Sequence, residues 1–286
     1  MINYEFKKTS ITFVAAYAAR ALLEQLRSHT KLHTVGLCFP YGPKFPRPSE
    51  ADEWLAANPG ITKRCGNRNA CPVCARAHEA RMRKAFAYSF DHYIDEGWIP
   101  WWQTLEVGFD SKMEERDRYR VLSRIWSQVM AIRGIRKIRE GLGAAYLRVT
   151  EETLVDGLWT PHFHVVWIFM AGVSNEEIHE FFDEFSLRWR GLQALVLKRV
   201  ENSRPLYYAR LDTTTIPKMQ YLFKSFRIEV TEQGIQVPDR LVRPIDFLMA
   251  AAAWGDLGCW DRWSDYQEAS IGARRYKFSN NWIFVS

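Results

Sequence analysis

The sequence lacks the long apolar runs that a membrane-spanning segment requires. Its longest apolar stretches, such as Phe247 to Trp254, are too short to cross a bilayer. Met1 to Lys8 contains Glu5, Lys7 and Lys8 and no long apolar region of the kind found in a secretion signal. Repeats of fixed period and low-complexity tracts are also lacking. These absences exclude repeat architectures, give no reason to expect a membrane partner, and predict a cytoplasmic protein.

Cysteine is scarce, with 5 residues among 286, so a disulfide-based scaffold is not expected. Three of the five form a C-x5-C-x2-C pattern at Cys65, Cys71 and Cys74. The Cys-Pro-Val-Cys end has the knuckle spacing that binds a tetrahedral ion, which predicts a structural Zn²⁺. Cys38 is the best fourth ligand, with His33 and His78 as alternatives. The competing interpretation is three reduced, partly buried cysteines at the start of a helix.

The composition is that of a globular protein, with 47% hydrophobic and 14% aromatic residues. The formal net charge of +6 is modest, but the basic residues cluster after Cys65 and again before position 140. Clustered cations favour polyanionic partners, and 12 tryptophans and 12 tyrosines offer surfaces on which unpaired bases could stack. Solvated helix faces and ordinary core aromatics would account for the same composition.

Helical and strand periodicities alternate along the chain. The predicted helices are one capped by Thr9 or Ser10, Ala75 to about Asp95, Glu114 to Arg139, and Ser174 to Trp189. The predicted strands are Trp101 to Gly108, Ala145 to Thr150, the run through Thr160 to Trp167, and Ala194 to Val200. This mixture predicts an α+β fold with antiparallel hairpins. We expect an N-terminal helical, cysteine-rich, zinc-binding segment at 1–95 and a core domain at 96–286, with an approximate boundary.

Two histidines, His162 and His164, lie one residue apart in a run of strand-forming residues. Alternate residues of a strand share one face, so both imidazoles should project from the same side of the sheet. Such a pair can ligate a metal ion. A pair of ordinary packed or surface histidines is the competing interpretation.

The dipeptide Asp156-Gly157 is a hairpin signal between the histidine strand and the strand before it. If it forms a two-residue turn, Val155 pairs with Leu158, and counting outward sets Glu151 opposite His162. Opposed residues have Cβ atoms about 4.5–5.5 Å apart, close enough for a carboxylate and two imidazoles to bind one divalent ion. A turn one residue longer or shorter would bring in Glu152 instead.

A third element follows Pro217, which can start a helix. Its apolar stripe contains Leu222 and Phe223 and leaves Tyr221 and Lys224 on the other side. An exposed tyrosine followed three residues later by a lysine is a weak signal by itself.

The order of these motifs resembles the HUH endonucleases and, more narrowly, the rolling-circle replication initiators of small bacterial plasmids. Six segments carry the resemblance: the cysteine run 65–74, Trp102 to Leu105, Arg148 to Glu151, Pro161 to His164, Tyr221 to Lys224, and Gly272 to Ser279. Ser225 stands where family members often have a second aromatic, and Glu106 stands where a small or hydroxyl residue is usual. Tyr207 and Tyr208 are competing nucleophiles, although neither has a lysine three residues later.

The resemblance implies an HUH-type central antiparallel sheet flanked by helices, in a bacterial cytoplasmic enzyme. Tyr221, with Lys224 beside it, would nick single-stranded or extruded origin DNA and rejoin it through a 5′-phosphotyrosyl link. Mn²⁺ or Mg²⁺ on His162, His164 and Glu151 would assist, and a helicase and the replication machinery are the expected partners. The residues predicted to contact DNA are Arg68, Arg76, Arg148, Lys218, Arg274 and Arg275.

Two alternatives remain open. A transposase or conjugative relaxase would use the same metal and tyrosine. A non-catalytic zinc protein that only binds DNA would leave the histidines as packing residues. A hydrolytic phosphoesterase that uses two His-x-Thr motifs does not fit. The chain has only one such histidine motif, and Val166 stands where its hydroxyl residue would be needed.

Overall fold

A computed structural model describes residues 69, 71–198, 206–211, 222–223, 229–231 and 234–284. The elements are α1 (Pro72–Asp95), β1 (Ile99–Leu105), α2 (Glu115–Ala131), α3 (Arg133–Gly141), β2 (Ala145–Val155), β3 (Leu158–Phe169), α4 (Asn175–Leu197), β4 (Tyr207–Arg210), β5 (Glu229–Thr231), β6 (Gly234–Gln236), α5 (Pro244–Trp254), α6 (Leu257–Ala269) and β7 (Tyr276–Phe278). The fold is α+β, as predicted.

The described residues divide into two compact units. One contains those up to Glu79 and those from 229 to Glu268, including the β5–β6 hairpin and the apolar helix α5. The other contains Ala80 to 223 and Ala269 to 284. This division differs from the predicted boundary at residue 96. Within the described part of the chain, no helix has the length and apolarity needed to cross a membrane.

The second unit is built on a five-stranded antiparallel sheet in the order β4-β1-β3-β2-β7. One face packs on α2, α3 and α4 through a core that includes Trp126, Trp167 and Phe181. The other face packs on the residues of α1 from Phe86 onwards, together with Leu222, Phe223 and Trp282. The sheet is therefore covered by helices on one face and by a second, smaller apolar layer on the other.

The two central strands are joined by the predicted two-residue turn. Asp156 and Gly157 both have positive φ, at 50° and 76°, the backbone that a type I′ hairpin requires. Val155 pairs with Leu158, and the ladder continues to pair Glu151 with His162 and Val149 with His164. The predicted register of the histidine hairpin is confirmed.

Helix α4 begins as the sequence predicts and ends later. The Ser174 side chain accepts a hydrogen bond from the Glu177 amide, and the Glu177 carboxylate accepts one from the Ser174 amide. The predicted strand from Ala194 to Val200 is wrong, because the helix continues to Leu197. Trp189 and Gln193 extend its buried face, and the side-chain amide of Gln193 donates to the Glu106 carbonyl.

The predicted helix from Glu114 to Arg139 is two helices, α2 and α3. Ile132 between them is extended, with φ −59° and ψ 124°. Val129 and Ile135 are both fully buried in the same core. Residues six apart face different sides of a continuous helix, whose repeat is about 3.6 residues. The break lets both side chains reach the core.

The type I′ turn generates a stability prediction. Gly157→Ala should lower the free energy of unfolding by about 1 kcal/mol, because a Cβ is unfavourable at positive φ. The matched control is Gly191→Ala in the exposed interior of α4, where an added Cβ meets no atom within 4 Å. That change should raise the free energy of unfolding by roughly 0.5–1 kcal/mol. Urea unfolding of both variants measures the difference, and equal effects would contradict the turn.

Candidate metal centre

Three possible metal ligands meet on the face of the sheet opposite α2 and α4. His162 and His164 project from β3, and Glu151 projects from β2. The His164 Nε2 lies 2.8 Å from the Glu151 Oε2, and the two histidine Nε2 atoms lie 3.2 Å apart. The His162 Nε2 is 3.8 Å from the same carboxylate oxygen. Among the side chains that the structure describes, this is the only group of three possible ligands within 4.8 Å of one another.

The electrostatics of the cluster suit a cation. Burial, reinforced by the neighbouring His164, lowers the pKa of His162 to about 4, although Glu151 and a backbone hydrogen bond at Thr160 oppose the shift. His162 is therefore neutral at pH 7, with a ring lone pair available for coordination. The side chains of the cluster keep 12–14% of their surface exposed, which leaves an approach for an ion and its other ligands. Two imidazoles and a carboxylate fit a divalent transition metal.

A second layer of side chains orients His164. The Thr104 Oγ1 on β1 lies 3.3 Å from the His164 Nδ1 and accepts a hydrogen bond from the Trp102 Nε1 at 3.0 Å. The Trp102 ring also packs against the imidazole, with centroids 4.8 Å apart. When His164 ligates through Nε2, its Nδ1–H donates to Thr104, which fixes both the tautomer and the ring orientation.

Sequence patterns did not assign these roles to Thr104 and Trp102. In the chain, two helices and strand β2 lie between β1 and β3, so no single turn sets the register of β1 against β3. The one available signal is the alternation of β1, which places Trp102 and Thr104 on the same face.

The neighbouring carboxylate, Glu152, lies on the other face of β2 and is buried. Its Oε2 accepts a hydrogen bond from Arg275 at 2.8 Å, and both side chains are at most 4% exposed. Burial raises the pKa of the Glu152 carboxyl, and Arg275 opposes that shift. The structure thus assigns adjacent glutamates different environments: Glu151 belongs to the candidate metal centre and Glu152 to an internal ion pair.

Two of the predicted DNA contacts do not fit the structure. Arg275 is 5% exposed because it is committed to Glu152. Arg148 is also 5% exposed, since its guanidinium lies over the Phe163 ring at 4.1 Å, and burial lowers its pKa to about 10. Both are interior residues and cannot present a charge to a nucleic-acid backbone. Arg274 is exposed, and its predicted phosphate contact stays a prediction.

The two competing tyrosines, Tyr207 and Tyr208, project from opposite faces of β4. Tyr208 points toward α4, where its ring stacks on Phe182 at 4.5 Å and its hydroxyl donates to Asp183. Tyr207 pairs with Thr104 and therefore shares the face of the metal centre. Tyr208 is thus not positioned to act at this centre.

Several predicted residues lie outside the described part of the chain. They are Tyr221, Lys224, Lys218, Cys38, Cys65 and Arg68. Arg76 lies in α1, and its side chain is also outside the described part. The two described cysteines of the predicted zinc site, Cys71 and Cys74, are buried at the start of α1, where the Cys71 carbonyl accepts a hydrogen bond from the Ala75 amide.

Comparisons of this chain with protein-family models, with curated proteins and with solved structures find no match.

The second layer generates a prediction about metal affinity. Thr104→Val removes the acceptor for the His164 Nδ1–H at nearly constant volume, and we expect Mn²⁺ to bind roughly 10- to 100-fold more weakly. Thr104→Ser keeps the hydroxyl and should bind close to wild type. Isothermal titration calorimetry measures both, and equal loss in the two variants would show that the hydroxyl does not matter.

The register predicts opposite outcomes for the two adjacent glutamates. Glu151→Ala should reduce Mn²⁺ affinity by more than the roughly 10- to 100-fold expected of a second-layer residue, with little loss of stability. Glu152→Ala should leave Mn²⁺ binding intact and lower the free energy of unfolding by about 3 kcal/mol, since Arg275 would remain buried without its carboxylate. Calorimetry and urea unfolding of the pair measure this contrast. Reversal of the two phenotypes would contradict the register.

Proposed function

We propose that this chain is a metal-dependent, HUH-type endonuclease and strand transferase that acts on single-stranded DNA, and that it initiates rolling-circle replication of a plasmid. The observation that carries the proposal is the Glu151, His162 and His164 cluster, in which three convergent, partly exposed ligands lie together on one face of an antiparallel sheet.

The packing around Leu222 and Phe223 supports Tyr221 as the nucleophile. These two residues directly follow Tyr221 in the chain and are each 3% exposed. The Phe223 ring packs against Tyr276 at 5.4 Å and Phe86 at 5.6 Å, in the apolar layer on the face of the sheet that carries the metal ligands. The two residues that follow Tyr221 in the chain thus lie on the face where the proposed reaction needs a nucleophile.

Bound Mn²⁺ or Mg²⁺ would neutralise charge on the scissile phosphate and on the transition state. Glu151, His162 and His164 would hold it, and their donor set favours Mn²⁺ over Mg²⁺ by ligand softness. Trp102 and Thr104 would keep the His164 ring in its ligating orientation.

Tyrosine chemistry fits a reaction that must be reversible. The Tyr221 hydroxyl loses its proton as its oxygen attacks phosphorus, the bond from phosphorus to the 3′ oxygen breaks, and the departing oxygen takes up a proton to become a free 3′-OH. The new phosphotyrosine bond replaces the broken phosphodiester, so a later 3′-OH can reverse the step and rejoin the strand. Lys224, three residues further along the chain, would steady the phenolate or a phosphate oxygen.

The charge of the chain and the cysteine segment complete the proposal. A net charge of +6 with the exposed Arg274 suits a polyanionic substrate. Structural Zn²⁺ on Cys65, Cys71, Cys74 and Cys38 would stabilise the N-terminal segment, in keeping with the burial of Cys71 and Cys74.

Nicking of labelled single-stranded origin DNA with Mn²⁺ tests this function. Tyr221→Phe should abolish the covalent protein–DNA adduct and preserve DNA binding, because it removes one oxygen. Tyr88→Phe, at an exposed tyrosine of α1, is the matched control and should form the adduct normally. His162→Ala should reduce cleavage by at least roughly 100-fold, as expected for loss of a preorganised electrostatic group.

Three outcomes are informative. If the wild-type protein neither nicks the strand nor forms an adduct, the proposed enzymatic function is wrong. An adduct that persists in Tyr221→Phe moves the nucleophile to another tyrosine. Cleavage that survives in His162→Ala separates the reaction from the metal centre.

A further inference from the structure

A row of directly paired residues crosses the sheet on the face of the metal centre. Tyr207 on β4 pairs with Thr104 on β1, Thr104 pairs with His164 on β3, and His164 pairs with Val149 on β2. Directly paired residues of neighbouring strands project to the same side. Tyr207 therefore stands at the open end of the row that contains a metal ligand.

Tyr207 is conspicuous for its exposure. Its surface is 64% exposed, whereas Tyr208, the next residue, is packed against Phe182 and bonded to Asp183. Within the described residues, the Tyr207 ring has no aromatic partner, although several rings of the same unit pack in pairs. The ring thus contributes little to the core and is available to a ligand.

The orientation of His164 argues against a role for Tyr207 as the nucleophile. The His164 Nδ1 faces Thr104, on the side of Tyr207, and its Nε2 faces Glu151, on the opposite side. Tyr207 lies two strand spacings from His164, about 10 Å along the sheet. A reacting oxygen must come within about 3–3.5 Å of phosphorus. The His164 nitrogen that would bind the metal therefore faces away from Tyr207, and the Tyr207 hydroxyl is too far away to attack a phosphate held there.

The same distance suits a contact with a neighbouring nucleotide. Proteins that hold single-stranded nucleic acid stack bases on exposed aromatic rings, a contact that is tolerant of base identity. We infer that Tyr207 is a stacking platform for an unpaired base of the DNA strand, next to the scissile phosphate at the metal centre. This inference rests on the proposed function and adds a subsite for the substrate to it.

The test measures binding of fluorescently labelled oligothymidylate without divalent ions, so that cleavage does not intervene. Tyr207→Ala should weaken binding about tenfold or more, and Tyr207→Phe should bind like wild type, because the ring and not the hydroxyl makes the contact. On an abasic strand of the same length, wild type and Tyr207→Ala should bind equally. Tyr88→Ala, at a tyrosine that is 54% exposed on α1, is the matched control and should change neither affinity.

Each result decides the inference. If wild type and Tyr207→Ala bind oligothymidylate equally, Tyr207 does not stack on a base, and the proposed nuclease function is unaffected. If Tyr207→Ala loses a similar amount of affinity for the abasic strand, Tyr207 contacts the DNA backbone and does not stack on a base. Loss of the covalent adduct in Tyr207→Phe, with Mn²⁺ and origin DNA, makes Tyr207 a nucleophile instead. A wild-type protein that binds no single-stranded DNA overturns both the platform and the proposed function.

Discussion

The pairing of β2 with β3 is the constraint on which the candidate metal centre depends. Because the side chains of a strand alternate between faces, a slip of one residue would exchange every residue of β2 between the two faces of the sheet. The turn at Asp156 and Gly157 prevents that slip by setting the first pair at Val155 and Leu158. From that pair the position of each carboxylate follows.

Adjacent glutamates acquire opposite roles through this register. Glu151 projects into a partly open cluster where its charge can be matched by a divalent ion. Glu152 projects into the core beneath the helices, where a charge is tolerated because Arg275 pairs with it. Arg275 directly precedes β7, and its carbonyl accepts a hydrogen bond from the Thr150 amide, so the internal pair also ties the edge of the sheet to β2.

The sheet connects the parts of the proposed reaction. Strand β3 supplies the two imidazoles, and β1 supplies Thr104 and Trp102, which hold one of them in place. The apolar layer on the same face anchors Leu222 and Phe223, the residues after the proposed nucleophile. A central hairpin paired with strands on both sides suits the proposed reaction, in which the phosphodiester must be positioned to within about 0.5 Å of its productive geometry.

The sequence by itself determined the features that depend on local chemistry. Alternation, a type I′ turn dipeptide and hairpin counting were sufficient for the α+β class, the central hairpin and the convergence of Glu151 with His162 and His164. Tertiary structure decided whatever depends on contacts between distant segments: the break at Ile132, the extension of α4 to Leu197, the burial of Arg148 and Arg275, and the contact of Thr104 with His164. The physical reason is that a hairpin register is set by the few residues of its turn. Burial and long-range pairing are set by how whole elements pack, and no local pattern encodes that packing.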